Sequence, residues 1–103
     1  MTTPFLSLVH SAAESLFTGL HLEKILVTVR HPRTGEIAQF EQDRHTPGLT
    51  LSRGYDMVAE PVHLSGRQVG QIELHAAAGS VKAAQLMRIA QSLHDEITQA
   101  IAA

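Results

Sequence analysis

The feature that most constrains this chain is the run Glu60-Pro-Val-His-Leu-Ser-Gly-Arg-Gln-Val-Gly-Gln-Ile-Glu-Leu-His75, which alternates with a period of two around a Ser65-Gly66 turn and leads, after Gly79, into one long amphipathic helix. The polarity period changes from two to about 3.6 within a few residues, so the chain ends as a β-hairpin followed by a helix. Ser80 is placed to cap that helix, expected from about Val81 to Ala100. Two hairpin registers are open. A two-residue turn at Ser65-Gly66 sets Val62 opposite Val69, whereas a three-residue loop through Arg67 sets Val62 opposite Gly70, Glu60 opposite Ile72 and Val58 opposite Leu74. The second is preferred because it gathers Val58, Val62, Leu64, Ile72 and Leu74 on one face.

The same reading extends backwards. Thr3 before Pro4 starts a helix expected from about Pro4 to Thr18, with Phe5, Leu8, Val9, Ala12, Leu16 and Leu20 on one stripe and Gly19 as its C-terminal cap. Between Glu23 and Arg30 the period is two: Ile25, Val27 and Val29 share one face, and Leu26, Thr28 and Arg30 the other. His31-Pro-Arg-Thr-Gly35 is turn chemistry, so Glu36–Glu41 returns as a second strand. Leu49–Ser52 reads as a short strand, Arg53-Gly54 as a turn, and Tyr55–Leu64 as a long strand whose Pro61 requires a sheet edge or an interrupted ladder. The expected fold is α+β: an antiparallel sheet of about five strands flanked by N- and C-terminal helices, in one domain over residues 1–103.

Composition sets limits on function. Eight Lys and Arg face ten Asp and Glu, and the basic residues are scattered, so a phosphate-tracking stripe is absent and nucleic acid is not an expected partner. There is no cysteine, which removes disulfides, thiolate metal sites, thiol nucleophiles and thioether attachment of a chromophore. No apolar run approaches the ~20 residues that span a bilayer, and no basic segment precedes Phe5-Leu-Ser-Leu-Val9, so the expectation is a cytoplasmic protein with no membrane partner.

Seven histidines, at 10, 21, 31, 45, 63, 75 and 94, include no pair at chelating spacing, so no metal and no cofactor is expected. His75 falls near Asp56 in either register, a general-base geometry if a nucleophile stood beside it. None is in evidence, so no catalytic set is assigned and the reading leans away from an enzyme. Glu60 points at the apolar face beside Ile72 in the preferred register, to bind a ligand or to pair with Arg67. Tyr55, the only tyrosine, is placed to stack on a ligand. Gly70, within a strand, implies a close approach by a neighbour. With His63 on the same hairpin, Tyr55, Glu60 and Gly70 make up the candidate ligand-binding set. In the final helix Leu86, Ala90, Leu93 and Ile97 step by three and four as a coiled-coil seam does, with Met87, Ile89 and Ile101 widening the stripe, and they form the candidate homodimer interface.

Glu60-Pro-Val-His-Leu64, Gly66-Arg-Gln-Val-Gly-Gln-Ile-Glu-Leu74 and Leu86-Met-Arg-Ile-Ala90 through Ile101 resemble the end of GAF and PAS-type sensor domains of the profilin-like group. Those domains close with a glycine-bearing turn, a hydrophobic-Gly-x-hydrophobic strand and an outgoing helix. The resemblance covers about the last 45 residues well and implies a sensory domain that binds a small ligand or a signalling protein and homodimerises through its terminal helices. The stretch from Phe40 to Tyr55 is shorter than the helical insert of that group, and the absence of cysteine excludes its methionine-sulfoxide-reducing and bilin-attaching members as models. Leu8–Phe17 followed by Leu22–Pro32 is similar to a helix-strand unit of dihydroneopterin aldolases and their tunnelling-fold relatives, with His31 where that family has a lysine; it implies a small enzyme as the alternative. A third alternative is an assembly module without ligand.

Overall fold

The computed structural model describes residues 4–20, 22–43, 55–77 and 83–102. Helix α1 (Pro4–Gly19) leads into strands β1 (Lys24–Arg30) and β2 (Ile37–Asp43), then β3 (Tyr55–Leu64), β4 (Arg67–Ala77) and helix α2 (Ala83–Ala102). The strands form one antiparallel sheet in the order β2-β1-β4-β3. Among the described residues the sheet has four strands, where about five are expected from sequence. The segment assigned to the additional strand, Leu49–Ser52, lies outside the described residues, as do the Arg53-Gly54 turn and the Ser80 cap.

Both helices pack on the same face of the sheet, α1 mainly over β2 and β1 and α2 mainly over β3 and β4. That face is apolar because period-two strands expose alternate side chains to it. Ile25, Val27 and Val29 of β1, Val62 of β3 and Ile72, Leu74 and Ala76 of β4 are fully enclosed. From α1 the core takes Phe5, Val9, Ala13 and Phe17, and from α2 Leu86, Ala90, Leu93, Ile97 and Ile101. The wide stripe read on α1 is therefore divided. The sheet takes the row at every fourth residue, while Leu8 and Leu20 remain 43% and 38% exposed on the flank that faces α2. Gly19 closes α1 without the left-handed backbone of a C-terminal glycine cap. Among the described residues positive φ occurs in glycine at Gly35 and Gly66, and a Cβ on Gly19 would meet no atom within 4 Å.

The hairpin β3–β4 combines features of both registers. Leu64 pairs with Arg67 around a two-residue turn whose central residues Ser65 and Gly66 both have positive φ (53° and 80°), as a type I′ turn requires. The ladder then shifts between Val62 and His63, leaving Val69 as the extra residue of a β-bulge. Beyond it Val62 faces Gly70, Glu60 faces Ile72 and Val58 faces Leu74. The preferred register holds, produced by a bulge within β4 rather than by a longer loop. β3 lies at an edge of the sheet, where Pro61 is tolerated.

The β1–β2 turn ties the two helices together. His31 is 7% exposed, its ring edge-on to Phe5 of α1 at 5.1 Å, and its Nδ1 accepts hydrogen bonds from the backbone amides of Arg33 (3.2 Å) and Thr34 (3.4 Å). An acceptor Nδ1 places the ring proton on Nε2. Arg33 donates to the Ile101 carbonyl at 2.8 Å, satisfying an acceptor in the last turn of α2. Gly35, at φ 76°, closes the turn by donating its N–H to the His31 carbonyl.

Candidate functional site

Of the concave surfaces among the described residues, two bear on the candidate site. The larger is a groove of about 880 Å³ along the outer side of the α1–α2 pair, with Leu8, Ala12 and Leu16 on one wall and Ile89, Ser92 and Glu96 on the other. It exists because both helices carry more apolar width than one sheet face can cover. Leu16, Ala12 and Ile89 pack partly against the core, and Leu8 and Leu20 extend the apolar surface outward. Serines at 11, 15 and 92 and Gly19 keep the groove open.

The smaller is a depression of about 320 Å³ on the opposite face of the sheet, between Leu26 and Thr28 of β1 and Gln68, Gly70, Gln71 and Glu73 of β4. Beside it, Glu73 and His75 are two residues apart on one strand and so share this face. His75 Nε2 sits 3.3 Å from Glu73 Oε1, but it is sealed from solvent and not aligned for a hydrogen bond. Lys24, across the ladder from His75, lies 3.9 Å from Glu41. A partly exposed pair such as Lys24–Glu41 contributes roughly 0–1 kcal/mol, so it shapes the surface more than it stabilises it.

The candidate ligand set does not converge. Glu60 lies on the helix-facing side opposite Ile72, half-buried at the β3 edge, whereas His63 is exposed beside the turn, opposite Gln68. Gly70 faces Val29 and Val62, and a Cβ there would run into the Thr28 carbonyl oxygen and meet Val29 Cα at 2.8 Å. The close approach inferred from this glycine is real, and the neighbour is the backbone of β1 in the same sheet. Tyr55 pairs with Ala77 at the start of β3, and its side chain lies outside the described residues. The carboxylate beside His75 is Glu73; the Asp56 side chain also lies outside the described residues. A same-strand partner two residues away is legible from the alternation alone.

Leu86, Ala90, Leu93 and Ile97, read as a dimer seam, are 0–1% exposed within the single chain, packed against its own sheet. A partner reaches them only by opening the core, so an interface on these helices has to use their outer side. His10 contacts the Gln39 carbonyl at 3.1 Å on edge strand β2 and tilts over Phe40, and His94 lies 3.2 Å from Asp95. Among the described residues no three His, Asp or Glu side chains gather as metal ligands, and no helix is long and apolar enough to cross a membrane. In comparison with known proteins, no family model matches the chain and no curated protein matches it in sequence.

Proposed function

We propose that this chain is a non-enzymatic regulatory domain of the GAF/PAS-like kind that homodimerises through its terminal helices and presents the uncovered face of its sheet to a small ligand or partner protein. The observation that carries the reading is the apolar groove on the outer side of α1 and α2, with Leu8 43% exposed, on helices whose inner sides are already filled by the core. Element order supports it too: one helix precedes the sheet and one follows it, and both pack on the same face. A change in dimer packing requires a ligand with different affinity for the two packings.

A second reading, an assembly module without ligand, is favoured by the packing of the helix-facing side. That side is filled by side chains, and the depression on the opposite face is small, about 320 Å³. Sedimentation velocity from about one to a hundred micromolar tests the shared dimer, because a weak isologous interface dissociates across that range. A monomer throughout would remove both readings. Native mass spectrometry of freshly purified protein separates them: a retained small molecule favours the sensory domain, and a bare chain the assembly module.

A further inference from the structure

The outer ridge of α2 carries a charge arrangement that is complementary to its own reversal. Arg88, Ser92 and Glu96 are spaced by four residues and are all exposed, with Gln85 and Gln99, also exposed, seven residues to either side of Ser92. Residues at these spacings fall on one side of a helix. Within the helix, Arg88 has no acidic residue three or four positions away, and Glu96 has no basic one. Among the described residues neither has an ion-pair partner. Surface helices ordinarily place such charges at i,i+4, where they support each other. Here each stands two turns from its complement, too far to pair within the chain and correctly placed to pair with an antiparallel copy.

We infer that a second copy of this chain occupies the groove, with the two α2 helices antiparallel across a twofold axis at Ser92, so that each Arg88 meets the other copy's Glu96. This rests on the dimer reading above and adds its register. An isologous contact requires that every pair i–j be matched by j–i. About Ser92 the ridge satisfies that condition: arginine meets glutamate twice, glutamine meets glutamine, and serine meets serine at the point of closest approach. The same axis brings α1 against α1. There Ser11 and Gly19 stand four residues to either side of Ser15, which lines the same groove as Ser92. Gly19 is required neither by a left-handed backbone nor by a neighbour among the described residues, and small side chains in such a row let two helices approach closely. Leu8, Leu16, Leu20 and Ile89 then supply the apolar contact that the charges orient.

Charge reversal tests the register. Arg88→Glu and Glu96→Arg each replace two attractive cross-dimer pairs by two repulsive ones, and each should raise the dimer dissociation constant by at least about tenfold at low salt. Arg88→Glu combined with Glu96→Arg restores complementarity and should bring the constant back to within about threefold of the unmodified chain. Both positions are exposed, so circular dichroism should show the fold unchanged. Because the chain has no cysteine, Ser92→Cys adds a second measurement: two thiols on the axis should form an intermolecular disulfide on mild oxidation. A dimer indifferent to both reversals, or one in which the double variant is weaker than either single, would overturn this register and leave the dimer reading standing. An unmodified chain that sediments as a monomer would overturn the dimer reading and the register together.

Discussion

The two faces of the sheet are built from the same strands and obey different rules. On β1, Ile25, Val27 and Val29 are fully enclosed beneath the helices, while Lys24, Leu26 and Thr28 are only half-buried and Arg30 is exposed. On β4, Ile72, Leu74 and Ala76 go inward and Gln71, Glu73 and His75 outward. The inner face is specified by volume, since every position touches several others at near-crystalline density. The outer face is specified only by being compatible with water, and it carries Ile37 at 60% and Met57 at 54% exposure. One face therefore holds the fold together, and the other carries polar residues such as Gln71 and Glu73.

The largest effect expected from this contrast is at the centre of the inner face. Leu93→Ala removes a side chain that is 0% exposed and should cost about 2–5 kcal/mol of unfolding free energy in urea. A cost below 1 kcal/mol would mean the helix is not seated on the sheet as described. Gly70→Val comes next. A Cβ there meets the β1 backbone, which cannot swing aside, so overpacking should cost about 3 kcal/mol despite valine's preference for strands. A rise in the urea midpoint would break the account of the β1–β4 contact.

His31→Ala should follow at about 1–3 kcal/mol, because the Arg33 and Thr34 amides lose their acceptor and Phe5 loses its ring contact. Proteolysis within the β1–β2 turn should accelerate in that variant, and an unchanged cleavage rate would show that the turn is held by other means. At the small end, Ile37→Thr on the uncovered face should move the urea midpoint by no more than about 0.5 kcal/mol equivalent. A loss comparable to that of Leu93→Ala would show that the outer face is covered in solution by something that packs on it.

Much of the fold was legible because period-two and period-3.6 patterns are local. Strand β3 and the inward set Ile25, Val27, Val29, Val58, Val62, Ile72 and Leu74 follow from alternation alone. What alternation does not contain is a change of register inside a strand. The bulge at Val69 lies between two residues that are both acceptable in a strand, and nothing in Val69-Gly70 marks which of them is extra. The helices hid a different ambiguity. A wide apolar stripe does not say which part meets the sheet, so Leu8 and Leu20 were read inward and Phe17 was missed, and the Leu86–Ile97 seam was assigned to a partner while the chain's own sheet takes it. The candidate site was the least legible part. Glu60 and His63 are three residues apart on one strand, so the pleat turns Glu60 to the helix-facing side and leaves His63 exposed, while Gly70 is taken up by the contact with β1.

The central claim is that each helix has an inner side that belongs to the core and an outer side that belongs to assembly. Sedimentation velocity of Leu8→Glu against the unmodified chain, at matched concentrations where the latter is dimeric, tests it most directly. Leu8 is 43% exposed in the groove, so the substitution should leave the urea midpoint close to that of the unmodified chain while converting the dimer to a monomer. A Leu8→Glu protein that still sediments as a dimer, or a dimer that is lost only when Leu93 is changed, would contradict the division.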